Sequence, residues 1–262
     1  MKTIAAAICL ICGLPVAAQD WAKQKLEKSP RHQEWVEIKH DNRTVRAFIV
    51  YPETKQKAPA VVVIHEIFGL TDWVRSVADQ LAANGYIAIA PDLLSGMGAN
   101  GAGSESFPSS QDAMKAISGL NPDQVTADLN AASDYVKKLP SFGGKLAVGG
   151  FCWGGGETFR FATNRKDLSA AFVFYGPPPK GFASITAPVY GFYGGLDNRI
   201  DATIPDTQAA MKAAGKKYDP VVYEGAGHGF MRAGEDPNDK NPDNKKAHDA
   251  AWQRWLALLK ST

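Results

Sequence analysis

One cysteine lies in a pattern that is typical of a catalytic nucleophile. The segment 145–159, KLAVGGFCWGGGETF, predicts a strand, a glycine turn and the start of a helix, with Cys152 at the turn between Gly150 and Gly154. This G-x-C-x-G frame allows the strained backbone that lifts a nucleophile above the end of a sheet. The N-terminus of the following helix favours a thiolate. A buried structural cysteine is the alternative, but the strand–turn–helix context favours catalysis.

Two further polar residues follow predicted strands at positions where a triad needs them. Asp197 follows PVYGFYGG, and His228 lies in GAGHGF after DPVVYE. An acid there can accept the Nδ1–H of a histidine and so orient its ring. Taken alone, Asp197 could cap a helix and His228 could be a surface residue, but Asp201 is available as the cap. The chain order Cys152, Asp197, His228 matches that of the α/β-hydrolase triad, which predicts a nucleophile, an acid and a base.

Two backbone N–H groups are predicted to form an oxyanion hole. One belongs to Trp153, directly after the nucleophile, and the other belongs to Ile67 in HEIFG, after an early strand. Together they would stabilise the negative charge that develops on a substrate carbonyl oxygen. Among the five histidines, His65 ends a buried strand and His248 lies on a charged last helix, so neither is assigned a catalytic role.

The predicted elements that position these residues alternate between strands and helices. EWVEIKH and TVRAFIVY indicate a hairpin, and APAVVVIHE and YIAIAPD indicate strands buried on both faces. The expected helices cover about 71–84, 122–138, 203–214 and 243–260. This repetition predicts an α/β fold with a mostly parallel central sheet and helices on both faces, as one domain over residues 19–262. We interpret the Gly/Ser-rich segment 93–110 as a mobile lid.

The N-terminus has the features of a secretory signal peptide over residues 1–18. MKTIAAAICLICGLPVAAQD contains one lysine, an apolar run over residues 4–14 and small residues at Ala17 and Ala18. The run is shorter than the roughly 20 residues of a membrane anchor. Cleavage after Ala18 would remove Cys9 and Cys12 and leave Cys152 as the only cysteine. We therefore expect a secreted or periplasmic protein with no stable membrane anchor.

Composition and motif searches limit the classes of partner. The formal net charge is +2 and no basic run is interleaved with aromatic residues, so we expect no nucleic-acid partner. The sequence has no Walker A motif, no H-E-x-x-H and no Cys/His cluster with metal-ligand spacing, and we expect no cofactor and no metal. The expected partner is a small-molecule lactone or ester, and the expected state is a monomer.

The chain resembles the dienelactone hydrolases, or carboxymethylenebutenolidases, of the α/β-hydrolase superfamily. The resemblance covers HEIFGLTDWVRSVADQLAANGYIAIAPDL, GGFCWGGG, GGLD and GHGFMR. It implies an α/β-hydrolase fold and the hydrolysis of lactones or small activated esters through an acyl-thiol intermediate. It also implies that Glu66 contacts the Cys152 thiol in the resting enzyme and helps to generate the thiolate when substrate binds.

One departure from the family pattern leaves the substrate open. Arg232 matches one of two arginines that hold the substrate carboxylate, but segment 92–120, where the second is expected, contains no arginine. A broader carboxylesterase of neutral esters is therefore an alternative. A thiol-based binding or redox module with a vestigial triad is another, although redox chemistry would need neither Asp197 nor His228.

Overall fold

A computed structural model describes residues 19–262, so the signal peptide predicted over residues 1–18 lies outside the described residues. Within that range eight strands form one sheet in the order β1-β2-β4-β3-β5-β6-β7-β8. The strands are β1 (Gln33–His40), β2 (Arg43–Val50), β3 (Ala58–Ile64), β4 (Ile87–Pro91), β5 (Phe142–Phe151), β6 (Ala170–Phe174), β7 (Val189–Gly194) and β8 (Tyr218–Tyr223).

The sheet is parallel except at one side. Strand β2 pairs antiparallel with both β1 and β4, whereas the pairs from β4 through β3 to β8 are all parallel. Parallel strands carry their carboxyl ends to one edge, where ligands bind in open α/β sheets. The predicted hairpin and the mostly parallel sheet are thus confirmed.

Nine α-helices occur in the described part of the chain and cover both faces of the sheet. They are α1 (Asp20–Glu27), α2 (Asp72–Ala83), α3 (Ser110–Ser118), α4 (Pro122–Lys137), α5 (Trp153–Asn164), α6 (Asn198–Asp201), α7 (Ile204–Ala213), α8 (Phe230–Ala233) and α9 (Pro242–Ser261). One core joins α1, α2 and α9 to one face, and the other joins α4, α5 and α7 to the opposite face. No helix among residues 19–262 has the length and hydropathy to cross a bilayer.

Four helices were not expected from the sequence: α1, α3 and the four-residue helices α6 and α8. Helix α1 precedes the predicted hairpin and packs with Ala22 and Leu26 against the core on α2. Helix α3 begins where the Gly/Ser-rich segment ends, and Ser109 caps it by accepting a hydrogen bond from the backbone N–H of Asp112 at 3.1 Å. The Ser-x-x-Asp pattern over residues 109–112 is a start signal that indicates this helix.

Candidate active site

The turn after β5 places Cys152 at a strained position between strand and helix. Its φ of 57° and ψ of −116° lie where an L-residue is disfavoured. The flanking glycines are needed because the backbone is crowded: a Cβ at Gly150 would lie 2.3 Å from Gly154 O, and one at Gly154 would lie 2.3 Å from His65 O. The partly buried thiol therefore stands at the N-terminus of α5, above the carboxyl edge of the sheet.

The structure brings the three predicted triad residues together. His228 Nε2 lies 3.1 Å from Cys152 Sγ, and His228 Nδ1 lies 2.5 Å from Asp197 Oδ2. Asp197 follows β7 and His228 follows β8, so neighbouring parallel strands deliver both side chains to the same edge. The distances are those of a nucleophile, a base and the acid that orients the base.

Electrostatics keep the histidine charged at neutral pH. Burial alone would lower the pKa of His228, but its hydrogen bonds to Asp197 and Cys152 and their charges outweigh burial and raise it to about 10. Burial likewise opposes ionisation of Asp197, yet the hydrogen bond from His228 lowers the pKa of Asp197 below its ordinary value. An imidazolium beside sulfur favours the thiolate, which is the nucleophilic form of cysteine.

Asp197 has two functions, which corrects the expectation that Asp201 leaves it free of capping. Its Oδ1 accepts a long hydrogen bond, 3.4 Å, from the backbone N–H of Ile200, so it caps α6, while Oδ2 binds His228. Asp201 is the last residue of α6, and Thr203 occupies the N-cap of α7. A carboxylate has two oxygens, so Asp197 can cap α6 with one of them and contact His228 with the other.

The two predicted oxyanion donors follow β3 and β5, which are neighbouring parallel strands. Trp153 is the first residue of α5, so its N–H has no acceptor within the helix. Ile67 lies in the turn that joins Glu66 to Gly69, and the backbone hydrogen bonds within residues 19–262 use the N–H of Gly69 but not that of Ile67. Two backbone donors therefore remain available for a developing oxyanion.

Glu66 does not make the contact that the resemblance implies. Its carboxylate, 1% exposed as a residue, accepts a hydrogen bond from Arg232 Nε at 2.8 Å, while the thiol of Cys152 contacts His228. The charge of Glu66 raises the pKa of Arg232 above its ordinary value. Arg232 thus enters the site as the partner of a buried carboxylate, and its assignment as a substrate ligand stays a prediction.

His65 and Tyr175 are buried residues that contact Glu66 and His228, respectively. His65 Nδ1 lies 2.8 Å from Glu66 O and its Nε2 accepts from the backbone N–H of Leu93 at 3.3 Å, so both ring nitrogens have backbone partners. Burial lowers its pKa. Tyr175, which the sequence analysis missed, packs edge-to-face on His228 at 5.0 Å between ring centroids. It follows β6 directly, so its place at the end of a strand could have identified it.

Comparisons with known proteins agree with this geometry. The model of the dienelactone hydrolase family matches residues 45–262. A protein of Escherichia coli O157:H7 that is provisionally named a carboxymethylenebutenolidase is 33% identical over 221 residues, which cover 77% of this chain and 76% of that protein. A protein of Bradyrhizobium provisionally named a 2-oxo-3-(5-oxofuran-2-ylidene)propanoate lactonase is 27% identical and covers 87% of this chain and 93% of its own.

A solved structure extends the similarity to the fold. The crystal structure of a provisionally named dienelactone hydrolase from Klebsiella pneumoniae has a TM-score of 0.76 and 27% identity, and the match covers 87% of this chain and 97% of that one. The eight-stranded sheet described here is therefore that of an α/β-hydrolase. The chain belongs to the dienelactone hydrolase family and is a hydrolase that acts on ester bonds, including those of lactones.

Proposed function

We propose that this protein is a cysteine-dependent hydrolase of lactones or small activated esters. The observation that carries the proposal is the contact of 3.1 Å between Cys152 Sγ and His228 Nε2, together with the contact of His228 Nδ1 with Asp197. A redox or binding thiol needs neither a base nor an orienting acid. Names given to relatives, a carboxymethylenebutenolidase and a lactonase, support a lactone as the substrate class.

The proposed reaction has two steps. The Cys152 thiolate attacks the carbonyl carbon, and the N–H groups of Ile67 and Trp153 stabilise the oxyanion of the tetrahedral intermediate. His228 then gives its Nε2 proton to the leaving oxygen as the C–O bond breaks, which leaves an acyl-thiol. In the second step His228 takes a proton from water, the hydroxide attacks the acyl-thiol, and the sulfur departs as thiolate. The carboxylic acid formed in this way releases its proton to solvent and leaves as the carboxylate.

Glu66 and Arg232 are assigned supporting roles in this proposal. Arg232 uses Nε for Glu66, so its two Nη groups are left to approach a substrate oxygen. Glu66 would then regulate the thiol by exchanging partners when substrate occupies Arg232. Because Arg232 is already compensated by Glu66 and segment 92–120 supplies no second arginine, selectivity for anionic substrates should be weak.

Hydrolysis of neutral esters is the second candidate, and the pairing of Arg232 with Glu66 is the observation that favours it. Purified protein assayed on a panel of lactones, with and without a carboxylate, and of aryl esters separates the two. Cys152→Ala should lose turnover on the order of 10³-fold or more on every substrate. Iodoacetamide should label one site in the mature protein and abolish turnover in parallel. Near-normal turnover of Cys152→Ala contradicts the cysteine mechanism.

A further inference from the structure

The segment that follows β4 is anchored beside the candidate site. The Ser104 backbone N–H donates to Asp92 Oδ2 at 2.7 Å, and the Ser104 hydroxyl donates to Asp92 Oδ1 at 2.6 Å. The same hydroxyl accepts from the backbone N–H of Leu70 at 2.9 Å. Leu70 lies three residues after Ile67, and Phe107 lies three residues after Ser104. The anchor therefore ties the segment that carries Phe107 to the loop that carries an oxyanion donor.

Three partly exposed apolar side chains near this anchor share one packing partner, and we call them the apolar wall: Ile67, Phe107 and Trp153. All three pack against one small buried cluster. That cluster consists of Leu94, Ala113 and Ile117. Two members of the wall carry the N–H groups assigned to the oxyanion hole, so the wall lies next to the position of the substrate carbonyl.

The apolar wall offers no counter-charge to an anion. None of its three side chains is charged; Arg232, which is not part of the wall, has its charge compensated by Glu66 at 2.8 Å, and Arg46 is paired with Glu105 at 2.5 Å. A carboxylate placed against the wall would lose hydration without gaining an ion pair, whereas a hydrocarbon group placed there is removed from water at a gain. The wall therefore favours an uncharged occupant.

The geometry of the reaction decides which part of the substrate meets the wall. His228 must stand on the side of the leaving oxygen, because it gives that oxygen a proton. The oxyanion faces the N–H groups of Ile67 and Trp153, and the acyl substituent takes the remaining position of the tetrahedral carbon, away from His228. We propose that the apolar wall binds the hydrocarbon acyl portion of the substrate and that Phe107 is its specificity-determining residue. This inference rests on the proposed function.

A series of p-nitrophenyl esters tests the assignment. With acetate, butyrate and hexanoate esters, kcat/KM of the unaltered protein should rise by about fourfold for each methylene that the wall removes from water. Phe107→Ala should lower the hexanoate-to-acetate ratio of kcat/KM by about tenfold or more. Met97→Ala is the matched control, because Met97 is a 45% exposed apolar residue of the same segment, and this variant should keep the ratio.

Each outcome separates this inference from the function on which it rests. Turnover with a flat series, or an unchanged ratio in Phe107→Ala, overturns the role of the wall alone. Failure of the unaltered protein to turn over any ester or lactone overturns the proposed function and this inference with it. Should Phe107→Ala fail to fold, Phe107→Arg gives the same test: the hexanoate ratio should fall, and preference for a carboxylate-bearing ester over its neutral analogue should rise about tenfold.

Discussion

The strained Cys152 and the charged His228 form one unit at the scale of single residues. The left-handed φ of Cys152 points its sulfur toward His228 Nε2, and Asp197 holds the other ring nitrogen. The raised pKa of His228, about 10, depends on both neighbours. Loss of either neighbour should therefore change the pH range of activity as well as its maximum.

Asp197→Asn should lower kcat by about 10³- to 10⁴-fold, because an amide cannot hold His228 in the reactive tautomer. Asparagine caps helices as well as aspartate does, so α6 should stay folded. The pKa of His228 should fall when its acidic partner is removed, and the alkaline limit of activity should move to lower pH. A pH profile of kcat/KM measures both effects.

Asp201→Asn is the control for this prediction, since Asp201 lies four residues away on α6 and makes no contact with His228. It should change kcat by no more than a few fold. A loss in Asp197→Asn no larger than that in Asp201→Asn would contradict the assignment of Asp197 as the orienting acid.

The linkage of His228 to folding has a defined sign. The folded pKa, about 10, lies above the ordinary value of 6.5, so the stabilisation is fully present below pH 6.5 and is lost as pH rises toward 10. The free energy of unfolding should decline over that window, and the free energy of unfolding of His228→Ala should decline less. Urea unfolding at several pH values measures both slopes, and parallel slopes would count against the charged pair.

Arg232 should contribute to the recognition of substrate carboxylates and also neutralise Glu66. Arg232→Ala alone leaves a buried carboxylate without its partner and should reduce the free energy of unfolding by about 3–5 kcal/mol. Adding Glu66→Gln removes that charge and should recover much of the stability. In the double variant, the preference for carboxylate-bearing lactones over neutral aryl esters should be about tenfold smaller than in the unaltered protein.

The measurement is the ratio of kcat/KM for the two substrate types, because loss of Glu66 affects both types alike. A ratio equal to that of the unaltered protein would assign Arg232 to bracing Glu66 and the histidine loop only.

At the scale of elements, Glu235 joins three helices on one face of the sheet. It accepts hydrogen bonds from Lys25 of α1 at 2.8 Å and from Trp73 Nε1 of α2 at 3.0 Å. Its nearest contact with α9 is His248 Nε2 at 3.5 Å, an ion-pair distance too long for a good hydrogen bond. His248 is itself buried, 8% exposed, rather than a member of a purely solvated charged face. This carboxylate thus holds α1 against the rest of the molecule.

Glu235→Gln should reduce the free energy of unfolding at neutral pH by about 3 kcal/mol. Burial opposes ionisation of Glu235, but its interactions with His248 and Lys25 lower the pKa from 4.5 to about 2. A lowered pKa stabilises the fold above pH 4.5, and this stabilisation is lost as pH falls toward 2. Denaturant unfolding across that window should show a smaller decline in Glu235→Gln than in the unaltered protein.

Glu27→Gln is the control on α1, a helix that Glu235 contacts, because Glu27 is exposed and lies 4.0 Å from Lys23. Its effect should stay within about 0.5 kcal/mol. Equal effects of the two variants would show that Glu235 does not hold the helices together.

At the scale of the whole molecule, Gln19, the first residue after the predicted cleavage site, contacts α2. Gln19 Oε1 accepts a hydrogen bond from the backbone N–H of Trp73, in the first turn of α2, at 3.0 Å. Cleavage after Ala18 would keep this contact. We propose that the protein is exported and that the mature form comprises residues 19–262 with Cys152 as its only thiol.

Intact-mass measurement on protein from the native host should give the mass of residues 19–262. Ala18→Leu, which places a large residue at the cleavage site, should accumulate the precursor. Retention of residues 1–18 in the unaltered protein would contradict both export and the single-thiol argument.

The sequence by itself determined the features that depend on short stretches of chain. The continuous apolar runs predicted buried parallel strands, and the glycine frame predicted the turn at Cys152, because periodicity and local backbone freedom are short-range properties. The order of Cys152, Asp197 and His228 then predicted a triad. In the structure His228 lies 3.1 Å from Cys152 and 2.5 Å from Asp197.

Only the tertiary structure decided which partners the side chains take. Glu66 and Arg232 are 166 residues apart, and the sheet order and the rotamers set by packing bring them to 2.8 Å. The double use of Asp197 depends on where α6 begins, and the position of the segment that carries Phe107 depends on the contact of Ser104 with Asp92. Such contacts are decided by the three-dimensional arrangement of strands and loops, since no local pattern specifies which distant residue will meet a buried charge.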